Sequence, residues 1–230
     1  MKARVAVVTT NRGAFDFREY SVPDPAPDSA IVKMICCNIC GSDLHLWRGD
    51  ARPLEEGLPQ ILGHEMVGTI HKLGTKVKTD SLGKPLQEGD SIIYSFYRQC
   101  GNCYFCNTRE AACPDLHKHW IGVSSDDPPH FHAGYGEYYH LGPGHWVFKV
   151  PDNLSDDMAS PVNCAGSTIF AGLDKIEIRP GDTVVVQGAG GLGLYAASMA
   201  KERGAGRIIA IDAFEQRLSL AEKFGADQLL

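Results

Sequence analysis

Four cysteines crowd one short segment, CGNCYFCNTREAAC, in which Cys100, Cys103, Cys106 and Cys113 are separated by two, two and six residues. Four thiolates so spaced can close a tetrahedron around Zn²⁺ and leave no place for a substrate, so the segment reads as a structural zinc site. Such a site stabilises its loop and says nothing directly about catalysis. Buried or disulfide-bonded cysteines are the alternative, but two-residue spacings rarely suit disulfides.

A second set is scattered: Cys40 in CGSDLH, His64 and Glu65 in GHE, and Cys164 in VNCAG. A catalytic zinc takes three protein ligands and keeps one place open, and two cysteines with a histidine are one such set. Spacing over so long a stretch does not by itself join them. Taken singly, His64 reads as a hydrogen-bonded histidine, Cys164 as packing, and Cys36 and Cys37 as core thiols.

A third signal is GAGGLG at 188–193, which fits G-x-G-x-x-G between a strand-like run and a helix-like one, with Asp212 at the end of the next strand. That context marks a dinucleotide site. Gly188 allows the tight turn, Gly190 lets the backbone approach a pyrophosphate, and Gly193 allows close packing of helix on strand, with Gly191 and Leu192 between them in the same cradle. The helix N-terminus would stabilise the phosphate charge.

These residues need elements to hold them. Residues 1–150 carry short strand-like apolar runs between Gly, Pro and Asp clusters, which predicts a β-rich barrel or sandwich. The pattern changes near Pro151, where Ser155 precedes an apolar, helix-like stretch running to Leu173. In 151–230, TVVVQG, GAGGLGLYAASMAKERGA, RIIAID and AFEQRLSLAEKFGA alternate strand and helix, which predicts a parallel sheet under right-handed crossovers. The fold class is therefore α/β with a β-rich first domain.

The 230 residues, 43% hydrophobic and 22% charged, can bury a core for one large domain or two modest ones. A net charge of -6 leaves no basic stripe for a phosphate backbone, so no nucleic acid partner is expected. No apolar run nears the roughly 20 residues that span a bilayer, and MKARVAVVTT alternates as a strand does, so a cytoplasmic protein with no membrane partner is expected. In that reducing setting eight cysteines read first as metal ligands or buried thiols.

Together CGSDLH, LGHEMVGTI, the four-cysteine loop, NCAGST, and GAGGLG with Asp212 make the chain resemble the zinc-containing medium-chain alcohol dehydrogenases, from its first residue to its last. The resemblance implies a GroES-like barrel over 1–150, then a linker helix and the N-terminal half of a Rossmann NAD-binding domain over 151–230. It implies two zinc ions per chain and NAD, with a small-molecule alcohol or carbonyl compound as substrate. Cys40, His64 and Cys164 become the catalytic zinc ligands, with Glu65 beside the metal and Asp43 orienting a ligating imidazole. Ser42 would take the alcohol proton and His45 would pass it to solvent. Thr168 would lie near the nicotinamide, Arg217 near the adenine ribose, and Phe96 and, more weakly, Trp47 at the substrate pocket.

Three departures stand out. Gly41 follows Cys40 where many relatives carry a basic residue for the pyrophosphate, Cys164 stands where polyol dehydrogenases tend to have Glu, and the loop between Cys106 and Cys113 is one residue shorter than usual. Family members continue for more than a hundred residues past the point where this chain enters a third strand. The expectation is the N-terminal part of a longer enzyme whose full-length form is a homo-oligomer; the alternative is a truncated, non-catalytic relative that binds zinc and nucleotide.

Overall fold

The computed structural model describes residues 1–50, 53–108, 112–116, 118, 120 and 122–230, so part of the shortened loop between Cys106 and Cys113 lies outside the described residues. In chain order the first 163 residues form β1 (Lys2–Val8), β2 (Asp16–Ser21), β3 (Ala30–Asn38), α1 (Gly41–Arg48), β4 (Gln60–Ile61), β5 (Glu65–Leu73), β6 (Ser91–Tyr94), α2 (Tyr104–Thr108), β7 (Tyr138–Leu141), β8 (Val147–Lys149), α3 (Asp156–Ala159) and a 3₁₀ turn (Ser160–Asn163). The remainder forms α4 (Ala165–Leu173), β9 (Thr183–Gln187), α5 (Gly191–Glu202), β10 (Arg207–Ile211), α6 (Glu215–Lys223) and β11 (Gln228–Leu229). Among the described residues no helix is long and apolar enough to cross a membrane.

The first part is built from antiparallel sheets, as its short apolar runs predict. β1 alternates, burying Ala3, Val5 and Val7, and lies between β2 and β4. A five-stranded sheet runs β7-β3-β5-β6-β8, and its long central pair, β3 with β5, carries the core residues Val32, Met66, Val67 and Ile70. A single bridge, Val5 to Gly136, links the β1 sheet to the segment before β7.

The chain separates into two units, Met1–Asn163 and Cys164–Leu230, a division that falls after the Pro151 suggested by composition. Side chains explain the difference. Ser91 Oγ donates to Asp156 Oδ1 at 2.6 Å, Ser160 Oγ to the Glu65 carbonyl at 2.5 Å, and Asn163 Nδ2 to the carbonyls of His64 and Tyr94. These bonds fasten α3, whose N-cap is Ser155, and the 3₁₀ turn to the β-rich unit.

In the second unit three parallel strands lie in the order β11-β10-β9. Ala197 and Ala200 of α5, both wholly buried, let that helix approach Val186, Ile208 and Ala210 closely. β9 lies at the edge of this sheet, and its Val185 is 56% exposed although the run of three valines reads as buried on both faces.

One buried residue of the first unit ties stability to pH. His132 is 6% exposed, and its ring nitrogens have no hydrogen-bond partner among the described residues. Burial pushes its pKa down to about 4, whereas an unfolded histidine protonates near 6.5. The unfolded chain therefore binds the extra proton between those values. Stability is fully present above about pH 6.5 and falls as the pH drops toward 4, by about 3 kcal/mol. Replacing His132 with Leu is expected to flatten this acid limb relative to the parent in urea unfolding between pH 4 and 7; parallel limbs would remove His132 as its cause.

Candidate functional site

The helix α1 begins at Gly41 because Cys40 and Asp43 cap it: the Cys40 N–H donates to Asp43 Oδ2 at 2.9 Å, and Gly49, at φ +78°, ends it. Asp43 is 2% exposed, and its other oxygen accepts from the Gly63 N–H at 3.0 Å and lies 3.1 Å from His64 Nδ1. Gly63 adopts φ +91°, and a Cβ there would come within 2.5 Å of the Tyr135 ring, so the turn that presents Asp43 with this N–H requires glycine. One buried carboxylate thus fixes the backbone at Cys40 and the ring of His64 together. With Nδ1–H assigned to Asp43, the ring's other nitrogen, Nε2, is the one turned to ligand duty.

Cys40, His64 and Glu65 bring a sulfur, a ring nitrogen and a carboxylate oxygen within 4.8 Å of one another, with His64 and Glu65 buried. Ser42 Oγ lies 3.8 Å from Cys40 Sγ. His45, exposed on the same helix, has Nδ1 3.5 Å from Asp50 Oδ2, a partner not singled out from the sequence. The His64 ring is packed by Phe96, with centroids 4.8 Å apart, and by Trp120 at 5.3 Å. Trp120 lies in an irregular loop where no sequence pattern marks it. Trp47 has a different engagement: its indole N–H donates to the Gly13 carbonyl at 2.8 Å, tying α1 to the turn after β1.

The four loop cysteines converge. Their sulfurs are 3.8 Å apart for Cys100 and Cys106, 3.5 Å for Cys103 and Cys106, 3.9 Å for Cys103 and Cys113, and 3.6 Å for Cys113 and Cys100. A tetrahedron of zinc–sulfur bonds of about 2.3 Å has edges of about 3.8 Å, so the donor set fits that ion. Backbone N–H groups of Asn102 and Cys103 lower Cys100 to about 7, toward the thiolate a metal takes. Cys37, by contrast, is pushed up to about 12 by burial, as befits a core thiol.

In the second unit Gly188 takes φ +93°, and a Cβ on Gly193 would lie 1.9 Å from the Gly188 carbonyl oxygen, so α5 meets β9 as closely as the glycine pattern requires. Side chains at Gly190 or Gly191 would meet no atom within 4 Å. Their backbone therefore faces open space at a helix N-terminus, which suits a phosphate. Leu192, in the first turn of α5, is 49% exposed.

Asp212 follows β10. Its Oδ2 accepts from the Ala189 N–H at 2.8 Å and its Oδ1 from the Phe214 N–H at 3.0 Å, with Arg217 Nη1 3.6 Å from Oδ2. The Ala189 bond, then Phe214 and Arg217, hold its carboxyl below the usual range. The glycine turn and the acidic residue are thus one hydrogen-bonded piece, a link not legible in the motif. Thr168 is exposed on α4 and donates its N–H to the carbonyl of Cys164, the residue that opens this unit.

Residues 26–152, more than half of the chain, match the alcohol dehydrogenase GroES-like domain. A 5-exo-hydroxycamphor dehydrogenase of Pseudomonas putida is 33% identical over 98% of this chain and 61% of its own length. An alcohol dehydrogenase from Thermotoga maritima superposes with a TM-score of 0.89 at 32% identity, covering 100% of this chain and 63% of that one. A protein described as a zinc-binding dehydrogenase from Sinorhizobium meliloti 1021, solved with NADP, superposes with a TM-score of 0.81 at 26% identity over 100% and 62% of the two chains. The chain thus spans about six-tenths of the length of these relatives. On the strength of the domain match, the chain belongs to the alcohol dehydrogenase GroES-like domain family.

Proposed function

We propose that the protein is a zinc-dependent oxidoreductase that transfers hydride from a primary or secondary alcohol to NAD, giving an aldehyde or ketone. The observation that carries this reading is the single buried carboxylate of Asp43 holding both Cys40 and His64. Cys40, His64 and Cys164 would hold the catalytic zinc, with Glu65 beside it. A zinc ion there supplies a Lewis acid for the alcohol oxygen. A second ion in the four-cysteine loop would be structural, giving two per chain.

The chain's own groups account for the remaining steps. Ser42, beside Cys40, accepts the alcohol proton and passes it outward toward His45, which Asp50 orients at the surface. Phe96, with Trp120 behind it, forms an apolar wall at His64. We read the second unit as the first half of a Rossmann domain in which Gly188, Gly190, Gly191, Leu192 and Gly193 cradle the pyrophosphate, Thr168 approaches the nicotinamide and Arg217 lies near the ribose. A cytoplasmic homo-oligomer is part of the same reading.

Asp212 favours NAD, because its charge would meet a 2′-phosphate with like charge. The second reading, NADP, draws on Arg217 at 3.6 Å from that carboxylate and on the NADP seen in the Sinorhizobium neighbour. Alcohol-dependent reduction of both cofactors by the protein tests the proposal. NAD is expected to be preferred, and Asp212→Asn, which keeps an acceptor for the turn, is expected to narrow the preference. Equal use of the two cofactors would contradict the assignment to NAD. Zinc and dinucleotide binding without turnover would favour the non-catalytic reading.

A further inference from the structure

Tyr135 is absent from every motif in the sequence, yet its ring covers the turn at Gly63, lying where a Cβ on that glycine would come within 2.5 Å. The segment that carries it, just before β7, is fixed on both sides. Its N–H donates to the Leu62 carbonyl at 2.9 Å, and its carbonyl accepts from Ala6 at 2.8 Å. Phe15 packs edge-on against the ring at 6.2 Å. The phenol oxygen is buried and has no partner at hydrogen-bonding geometry among the described residues. Burial first, and then the charge of Asp43, push this phenol far up, so it stays a neutral O–H donor; its ring lies over Gly63, whose own N–H donates to Asp43.

A buried hydroxyl without an acceptor is destabilising, and a small movement onto Asp43 would relieve that. Asp43 already accepts from Cys40, Gly63 and His64, and two carboxylate oxygens can take a fourth donor. Resting on the zinc reading of Cys40 and His64, we infer that Tyr135 is a positioning residue that donates its hydroxyl to Asp43 and so moderates how strongly that carboxylate polarises His64. A carboxylate that shares its charge with a phenol pulls less on the imidazole N–H. The imidazole is then a weaker donor to a metal, and the metal a stronger acid toward its fourth ligand.

The test compares Tyr135→Phe, which keeps the ring and removes only the hydroxyl, with the parent protein carrying zinc. The His64 Nδ1–H proton resonance is expected to move downfield, and zinc in the Cys40 and His64 set to resist chelator about fivefold better, roughly the worth of one hydrogen bond. Zinc in the four-cysteine loop serves as the internal control for folding. An unchanged resonance, or weaker zinc binding with the loop zinc retained, would overturn the inference and leave the zinc reading standing. If Cys40→Ser removes no zinc from the parent protein, the zinc reading itself fails and this inference falls with it. A ring that serves only as packing would leave Tyr135→Phe silent in both measurements.

Discussion

Replacing Asp43 with alanine is expected to weaken zinc in the Cys40 and His64 set by about 10- to 100-fold while leaving the four-cysteine zinc in place. The size follows from what this carboxylate holds. It accepts the N–H groups of half-buried Cys40 and buried Gly63 and faces the buried His64 Nδ1, all within 3.1 Å. Its loss leaves those donors without an acceptor and releases both the start of α1 and the imidazole orientation. Folding stability should fall as well, by about 1 to 3 kcal/mol for each buried donor left without an acceptor. Asp43→Asn should recover part of the stability, because one acceptor oxygen remains, and less of the zinc affinity, because the charge does not. Chelator competition read beside urea unfolding separates the two. Unaltered zinc affinity in Asp43→Ala would mean that His64 is oriented by something else.

On the proposed reading, Ser42→Ala is expected to lower alcohol turnover by roughly 10²- to 10⁴-fold, with cofactor affinity little changed. Its hydroxyl lies 3.8 Å from Cys40 Sγ in the first turn of α1, and His45, further along the same helix, lies against Asp50. Both relay residues thus sit on one helix that begins beside the candidate ligand Cys40. His45→Ala should cost less than Ser42→Ala, because Ser42 is the one that lies beside the candidate ligand Cys40. Turnover in Ser42→Ala that stays at the parent level across neutral pH would require another route for the proton.

The cysteine spacing, the glycine pattern and the strand-helix alternation of the second unit were legible in the sequence because each is a local rule: ligand spacing, turn geometry and hydrophobic period. The four sulfurs meet, and TVVVQ, RIIAI and the helices after them fall where the periodicity puts them. The helix α1 was not read in advance. Eight residues of weak periodicity hide it, though the Cys40-x-x-Asp43 spacing is a usable helix-start signal. Trp120, Tyr135 and Asn163 were illegible because long-range packing brings them to His64, Gly63 and the His64 carbonyl. The bond from Asp212 to Ala189 is of the same kind: the motif names both ends, and only the fold joins them. The division after Asn163 likewise depends on side chains of the 3₁₀ turn reaching back to β5 and β6, which composition does not register.

The most direct test of the account is the number of zinc ions bound per chain in freshly purified protein and in two single variants. The account expects two in the parent, one in Cys103→Ser and one in Cys40→Ser, since four loop thiols close one site while Cys40 belongs to the other. A single zinc that survives Cys40→Ser and is lost with Cys103→Ser would contradict it, leaving a structural zinc loop and no metal for the alcohol.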